Sequence, residues 1–151
     1  MNHEKLFQSL GIPEGLKILV CGSRDFPDKS FVWKLLYRIK PRFIVTGGQG
    51  KKRPNRGADW HAEDFARTNK LPHDVVHADW DAFGRSAGPR RNSEMLILHP
   101  DIEWVVALPG ERGTADMVSK SKRAGIPVTE LEAVPYEVGI YKIKPREGDS
   151  V

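Results

Sequence analysis

The chain of 151 residues has a single cysteine, Cys21, and no hydrophobic run near the roughly 20 residues that a membrane-spanning helix needs. One cysteine cannot form an internal disulfide bond, which fits a reducing compartment. The N-terminal segment lacks a basic stretch followed by an apolar core, which argues against a secretory signal. We therefore expect a cytoplasmic protein with no membrane partner.

Several familiar site fingerprints are also missing. The sequence has no G-x-G-x-x-G after its first apolar run, no G-x-x-x-x-G-K-[ST] and no G-x-S-x-G, which argues against a standard dinucleotide site and a P-loop ATPase. Its histidines are scattered and give no compact chelating pair. We predict no metal site and no cofactor, although a Mg²⁺ ion carried in with ligand phosphates is compatible with the sequence.

The composition that is present fits one folded domain over residues 1–151. Hydrophobic residues make up 39% and charged residues 29% of the chain, and the formal net charge is +4. The positive charge is concentrated at Lys51 to Arg56 and at Arg85 to Arg91, and clustered cations attract phosphate groups. For Lys51 and Lys52 alone, a solvated surface is the better interpretation.

Five short apolar runs rich in β-branched residues predict strands at 17–21, 42–46, 73–77, 103–108 and 127–131. Most lack polar alternation, which is typical of strands buried on both faces. Helical patterns lie between them, so we predict an α/β fold, a Rossmann-like doubly wound, mainly parallel five-stranded sheet with helices on both faces.

The ends of the chain predict smaller elements around this core of about 17–131. Residues 1–14 favour a short helix outside the sheet. In the C-terminal extension, 132–151, residues 136–144 alternate enough for an edge strand or arm, and 145–151 are expected to fray. Thr114 is expected to cap the helix after the fourth strand and Gly125 to end it.

Glycine-rich segments follow the predicted strands. They include Gly22-Ser23-Arg24-Asp25 after the first strand, Gly47-Gly48 after the second, and Pro109 to Thr114 after the fourth. In a parallel sheet these loops share the carboxyl edge, where doubly wound folds bind ligands. Glycine lets backbone N–H groups approach a phosphate, and the following helix directs its positive end at the anion. The pattern predicts a site for a phosphorylated, nucleotide-type ligand.

At these residues the chain resembles the SLOG superfamily, a Rossmann-like group that includes the Lonely Guy phosphoribohydrolases and the DprA-type DNA-processing proteins. The shared motifs are Gly-Ser-Arg-Asp-Phe at 22–26, Gly-Gly at 47–48, Gly-Ala-Asp at 57–59, Ala-Asp-Trp at 78–80, Ala-Gly at 87–88, Arg-Asn at 91–92 and Pro-Gly-x-x-Gly-Thr at 109–114. Their order and strand context are similar to those of the small stand-alone bacterial and phage branch.

The resemblance implies a nucleotide-like ligand and, because relatives commonly dimerise, a homodimer or higher homo-oligomer. The implied ligand-binding residues are Gly22, Ser23, Arg24, Asp25, Gly47, Gly48, Asp59, Arg91, Asn92, Pro109, Gly110, Glu111, Arg112, Gly113 and Thr114. For Asp59, a role as helix cap is as well supported as a ligand contact.

The resemblance leaves open whether the protein is an enzyme. Lonely Guy enzymes cleave the bond between a base and ribose 5′-monophosphate with an arginine and a glutamate. Arg91 matches the arginine, but Met117 stands where they carry the glutamate and cannot polarise a ribose hydroxyl. Asp116 is about 100° away around the helix and is expected to point elsewhere. If the protein is catalytic, Arg91 and Glu111 are the candidate residues.

Three functions remain open. The first is a sensor or sequestering module for a nucleotide-like molecule, and the second is an N-glycosidic hydrolase of nucleotides or NAD-like metabolites. The third is single-stranded DNA binding through the basic insertion Lys51 to Arg56 with Trp60 and Trp80. We rank it last because the charge is modest and the tryptophans are expected to pack in the fold. The insertion also suits a flap over a polyphosphate or a tolerated loop insertion.

Overall fold

The computed structural model describes residues 3–48 and 55–145. Within these ranges the strands are β1 Lys17–Cys21, β2 Phe43–Thr46, β3 His73–Val75, β4 Trp104–Ala107, β5 Val128–Ala133 and β6 Tyr141–Ile143. The helices are α1 His3–Ser9, α2 Lys29–Ile39, α3 Gly57–Thr68, α4 Trp80–Phe83, α5 Ala87–Leu98 and α6 Arg112–Arg123. A 3₁₀ turn, Gly84–Ser86, joins α4 to α5.

The strands form one sheet in the order β3-β2-β1-β4-β5-β6. Strands β1 to β5 are parallel, and β6 pairs with β5 in the antiparallel sense at the edge. This arrangement confirms the predicted Rossmann-like α/β fold and places an edge strand in the C-terminal extension. The chain winds outward from β1 to β3 and then crosses back to β4 on the other side of β1. The carboxyl ends of β1 and β4 therefore flank the topological switch point.

Helices cover both faces of the sheet, which explains the continuous apolar runs of the sequence. In β1, Ile18 and Val20 belong to the hydrophobic cluster that includes α1, α2 and α3. Their neighbours Leu19 and Cys21 belong to the cluster that includes α5 and α6. Because successive side chains of a strand point to opposite faces, a strand covered on both sides needs apolar residues at every position.

The largest differences from the predicted strand ends, two residues each, occur in β3 and β5, at or next to an edge of the sheet. Strand β3 ends at Val75 instead of residue 77, because its partner β2 ends at Thr46, opposite Val75. Strand β5 runs to Ala133 instead of 131, because β6 supplies partners for its last residues. Both corrections come from contacts between strands.

The predicted N-terminal helix is present and packs at the edge of the fold. Leu6 and Phe7 of α1 are buried, and His3 contacts the carbonyl oxygen of Gly139 through Nε2 at 2.8 Å. Tyr141 of β6 donates a hydrogen bond to the Asp28 carboxylate at 2.8 Å. In the described ranges, no helix combines the length and the apolar character that crossing a bilayer would require. Most of 145–151, which we expected to fray, lies outside those ranges.

The predicted cap at Thr114 and the alternative role of Asp59 as a cap are both wrong, and one predicted helix end is confirmed. Helix α6 begins at Arg112 after Glu111, so Thr114 lies inside its first turn. Helix α3 begins at Gly57, so Asp59 also lies inside a first turn and does not cap it. Gly125 lies two residues after Arg123, the last residue of α6, and its φ of 78° suits glycine.

Candidate functional site

A cavity of about 550 Å³ opens at the carboxyl edge of the sheet, in the size range of small-molecule sites. Of the predicted ligand-binding residues, all but Pro109 and Gly110 line it: Gly22, Ser23, Arg24, Asp25, Gly47, Gly48, Asp59, Arg91, Asn92, Glu111, Arg112, Gly113 and Thr114. The loops that follow β1, β2 and β4 thus meet in one place, although they are far apart in the sequence.

Two glycines allow the loops to approach each other closely. A Cβ atom at Gly22 would lie 2.6 Å from the Cβ of Ala58 and 2.8 Å from that of Leu108. A Cβ atom at Gly110 would lie 2.0 Å from Oγ1 of Thr114. The Ser23 amide donates a hydrogen bond to the Pro109 carbonyl at 2.9 Å, which joins the loops after β1 and β4. Pro109 and Gly110 therefore do not line the cavity, but they hold together the loops that do.

The wall near α6 has the features of an anion site. Glu111, Arg112, Gly113 and Thr114 line the cavity at the start of α6, a helix of 12 residues. The Glu111 side chain makes no capping hydrogen bond to the described part of the chain, so N–H groups of the first turn remain available. With the positive end of the helix dipole, these donors suit a phosphate group.

Asp59 and Arg91 are both half-buried and line the same wall of the cavity. Arg91 Nη1 donates to the Gly47 carbonyl and Nε donates to Asn92 Oδ1 at 3.0 Å. A Cβ atom at Gly47 would lie 2.5 Å from Arg91 Nη1, so glycine makes room for the guanidinium. Asp59 Oδ1 is buried without a hydrogen-bond partner in the described residues. The arginine is thus engaged by neighbours other than this oxygen.

Burial shifts the pKa values of Asp59 and Arg91 in the directions that favour their uncharged forms. Burial raises the pKa of Asp59 to about 7, although Arg91 and Arg24 act in the opposite direction. Burial also lowers the pKa of Arg91, and the nearby Asp59 opposes that change. A carboxyl group that titrates near neutral pH is unusual away from functional sites.

Asn92 links α5 to α6 beside the cavity. Its Nδ2 donates to the Gly113 carbonyl at 3.1 Å and to Asp116 Oδ2 at 3.0 Å. Lys120 Nζ also donates to Asp116, at 2.9 Å. Burial tends to raise the pKa of Asp116, but the hydrogen bonds from Lys120 and Asn92 outweigh that effect and hold the pKa below its ordinary value. Asn92 therefore holds the first turn of α6 in place.

The expectation that Asp116 points away from the site is wrong. Asp116 lines the cavity together with its neighbour Met117. The cavity at the start of α6 therefore includes two side chains that lie about 100° apart around the helix. Asp116 is held by Asn92 and Lys120.

The floor of the cavity is apolar and carries sulfur. Cys21, Met95 and Met117 line it and belong to the same buried cluster. Met117 is 1% exposed, so the position at which related hydrolases carry their glutamate is part of the core. Burial raises the pKa of the Cys21 thiol far above its ordinary value, in keeping with its predicted role as a small buried residue.

Trp80 is a cavity residue, which corrects the expectation that it serves packing. Its ring lies 4.5 Å from the guanidinium carbon of Arg24, and the side chain is 37% exposed. By contrast, Trp33 and Trp104 are half-buried and hydrogen-bonded within the fold. Trp33 donates to the His61 carbonyl, and Trp104 donates to Thr129 Oγ1. The position of Trp80 just after β3, in the Ala-Asp-Trp motif, was the signal that could have identified it.

Arg85, Gly88, Pro89 and Met95 also line the cavity and were absent from the predicted set. Outside the wall, Arg56 Nη2 lies 3.5 Å from Asp25 Oδ1. Residues 51–54 of the basic insertion lie outside the described residues. Within residues 3–48 and 55–145 there is no group of three or more His, Cys, Asp or Glu side chains that could hold a metal ion.

Comparisons with known proteins agree with this arrangement. A family model described as the YspA, cpYpsA-related SLOG family, YAcAr, matches residues 16–83, from the start of β1 through α4. The Gene 61 protein of Mycobacterium phage D29 is 31% identical over 129 residues, which are 79% of this chain and 98% of the phage protein. No solved structure matches the chain significantly. The chain therefore belongs to the YspA and cpYpsA-related family of the SLOG superfamily.

Proposed function

We propose that the protein binds a nucleotide or nucleotide-derived phosphorylated ligand in this cavity and acts as a sensor or sequestering module. The observation that carries the proposal is the convergence of the first turn of α6 with arginines from three other places in the chain. Arg24 follows β1, Arg85 follows α4 and Arg91 belongs to α5. Membership of the SLOG superfamily is consistent with such a ligand.

The start of α6 is the best place for the phosphate. Gly113 and Thr114 line the cavity in the first turn of α6, where backbone N–H groups have no acceptor within the helix, and Arg112 adds a positive charge on the same turn. Hydrogen bonds between a phosphate and charged donors are shorter and stronger than neutral ones. Asn92 fixes this turn through the Gly113 carbonyl, so the donors are held before the ligand arrives.

Binding is better supported than turnover. The floor at Met117 offers a thioether where the related hydrolases use a carboxylate. Glu111 is exposed at the rim. A sulfur side chain inside the core can pack against a ligand, but it cannot accept a proton or stabilise an oxocarbenium ion.

Gly113 offers a direct test, because a Cβ atom there would meet no described atom within 4 Å. Gly113→Asp adds a negative charge at the phosphate position, and Gly113→Ala adds a matched side chain without charge. Calorimetric titration with inorganic phosphate, ribose 5-phosphate, AMP and ADP-ribose should show at least tenfold weaker binding in Gly113→Asp. Gly113→Ala should bind within about twofold of the wild type. If no probe binds, or if both variants bind equally well, the phosphate does not lie at α6.

Arg112→Ala tests the same position from the charge side, and Arg123→Ala at the other end of α6 is its control. We expect Arg112→Ala to weaken binding and to reduce its salt dependence, because a charge that contacts the ligand has been removed. Arg123→Ala should change neither. Equal effects of the two variants would indicate that α6 contributes only a general positive field.

One observation favours hydrolysis of an N-glycosidic bond as a second candidate function. Asp59 lines the cavity with a pKa of about 7, close to the value that suits general acid–base catalysis at neutral pH. Arg91 lies beside it, and Glu111 lies at the rim. Release of free base from nucleoside monophosphates or NAD-like compounds by the purified protein tests this function. Release that tracks the protein and is lost in Asp59→Asn, Arg91→Ala or Glu111→Ala would replace the binding proposal, whereas binding without release supports it.

A further inference from the structure

We propose that Trp80 and Arg24 form the subsite for a nucleobase, so that the ligand is a nucleotide with a planar base and not a sugar phosphate alone. This inference rests on the proposed function, because the phosphate at α6 is what brings the ligand into the cavity. It adds a second recognition element, supplied by a different part of the chain.

The first reason is that α4 contributes no residue to the buried core that would explain its tryptophan. None of the four residues of α4 is buried in the described structure, and the 3₁₀ turn that follows is exposed as well. Trp80 nevertheless faces the cavity and leaves more than a third of its surface exposed. A large, partly exposed aromatic surface in a cavity wall gains stability when a planar apolar group covers it.

The second reason is that Trp80 is held in place. The Asp79 carboxylate accepts a hydrogen bond from the Ala82 amide at 3.0 Å and so caps the short helix. On the other side the ring lies close to Gly88, where a Cβ atom would come within 3.3 Å of its Cη2 atom. A ring fixed between a capped turn and a glycine loses little conformational freedom when a ligand binds.

The third reason is the Arg24 guanidinium, which lies 4.5 Å from the Trp80 ring. Guanidinium groups and indole rings both stack on nucleobases, and stacking tolerates different bases because every base has a π-face. Arg24 and Trp80 also line a second, small cavity of about 20 Å³, beside His77. That space is of the order of one water molecule, so the base belongs in the large cavity.

The same helix supplies a matched control. Phe83 is also an exposed aromatic residue with an arginine over its ring, since Arg90 lies 4.4 Å away. Phe83 does not line the cavity. Loss of its ring therefore reports on general damage to the segment, whereas loss of the Trp80 ring reports on the cavity.

Calorimetric titration of AMP, GMP and ribose 5-phosphate into the wild type, Trp80→Ala, Trp80→Phe and Phe83→Ala tests the inference. We expect Trp80→Ala to weaken AMP and GMP binding by about 5- to 150-fold, the range found for loss of one base–aromatic stack. Ribose 5-phosphate should bind all four proteins within about twofold. Trp80→Phe should retain most of the base-dependent affinity, and Phe83→Ala should retain all of it.

The outcomes separate this inference from the proposal on which it rests. If AMP and ribose 5-phosphate bind the wild type equally well, or if Trp80→Ala weakens both to the same extent, the base subsite is refuted while the phosphate site stands. If Phe83→Ala has the same effect as Trp80→Ala, the ring acts through the segment and the subsite is again refuted. If none of the three compounds binds the wild type, the proposed function fails and the base subsite with it.

Discussion

Replacement of Asp59 by asparagine is expected to stabilise the protein at neutral and alkaline pH and to have little effect in acid. Asp59 Oδ1 is buried with no hydrogen-bond partner in the part of the chain that the structure describes. Burial raises the pKa of this carboxyl group to about 7. Asparagine keeps the size and shape of the side chain but carries no charge, so it imitates the protonated form.

The size of the effect follows from the difference between the two pKa values of Asp59. The ordinary pKa is 3.8, and a rise to about 7 means that ionisation costs the folded state roughly 4 kcal/mol at most. Between these values the folded protein keeps the proton and the unfolded chain releases it. The wild type therefore loses stability as the pH rises from about 4 to about 7, and the loss is complete above 7.

Urea unfolding of the wild type and Asp59→Asn at several pH values measures this contribution. Subtracting the two free energies of unfolding at each pH removes the contribution of other titrating groups, such as His61, whose pKa is lowered by burial. We expect Asp59→Asn to be more stable by about 1 to 4 kcal/mol at pH 8, and the advantage to shrink towards zero near pH 4. An asparagine variant that is less stable at neutral pH, by a margin that shrinks in acid, would show that Asp59 is an ionised partner of Arg91, and would refute the reasoning.

Two further predictions concern stability. Gly110→Ala should lower it by about 1 to 3 kcal/mol, because the new Cβ would lie 2.0 Å from Oγ1 of Thr114. Gly113→Ala places its Cβ in open space and should raise the stability by about 0.4 to 1 kcal/mol. Thermal denaturation compares the two variants, and changes in melting temperature of the same sign would contradict the packing of this loop. Tyr141→Phe should cost about 0.5 to 1.5 kcal/mol in urea unfolding, since it removes the hydrogen bond to Asp28. An unchanged midpoint would mean that this bond contributes nothing.

The sequence contains most of the information about the fold. The run Lys17–Cys21 was predicted with its observed boundaries, because a central strand covered on both faces needs apolar residues throughout. The glycine-rich loops after β1, β2 and β4 were predicted to share one edge, since parallel strands place their carboxyl ends together. The structure brings these loops to one cavity, and their role in ligand binding remains a prediction.

Features that depend on contacts between distant residues were harder to predict. Thr114 has the chemistry of a helix cap, but α6 begins two residues earlier, where Asn92 of α5 holds the Gly113 carbonyl. Asp59 also has the chemistry of a cap, but α3 begins at Gly57 and places the carboxylate in the first turn. Helix propensity could not show which neighbours a side chain meets in the folded chain, and the position of Trp80 in the cavity wall beside Arg24 was missed for the same reason.

Native mass spectrometry of the protein as isolated from cells tests the central claim most directly. We predict a bound species with the mass of a phosphorylated, base-containing compound in the wild type, and its loss in Gly113→Asp but not in Gly113→Ala. A protein that carries no ligand and then shows no affinity for phosphate, ribose 5-phosphate or nucleotides would contradict the account.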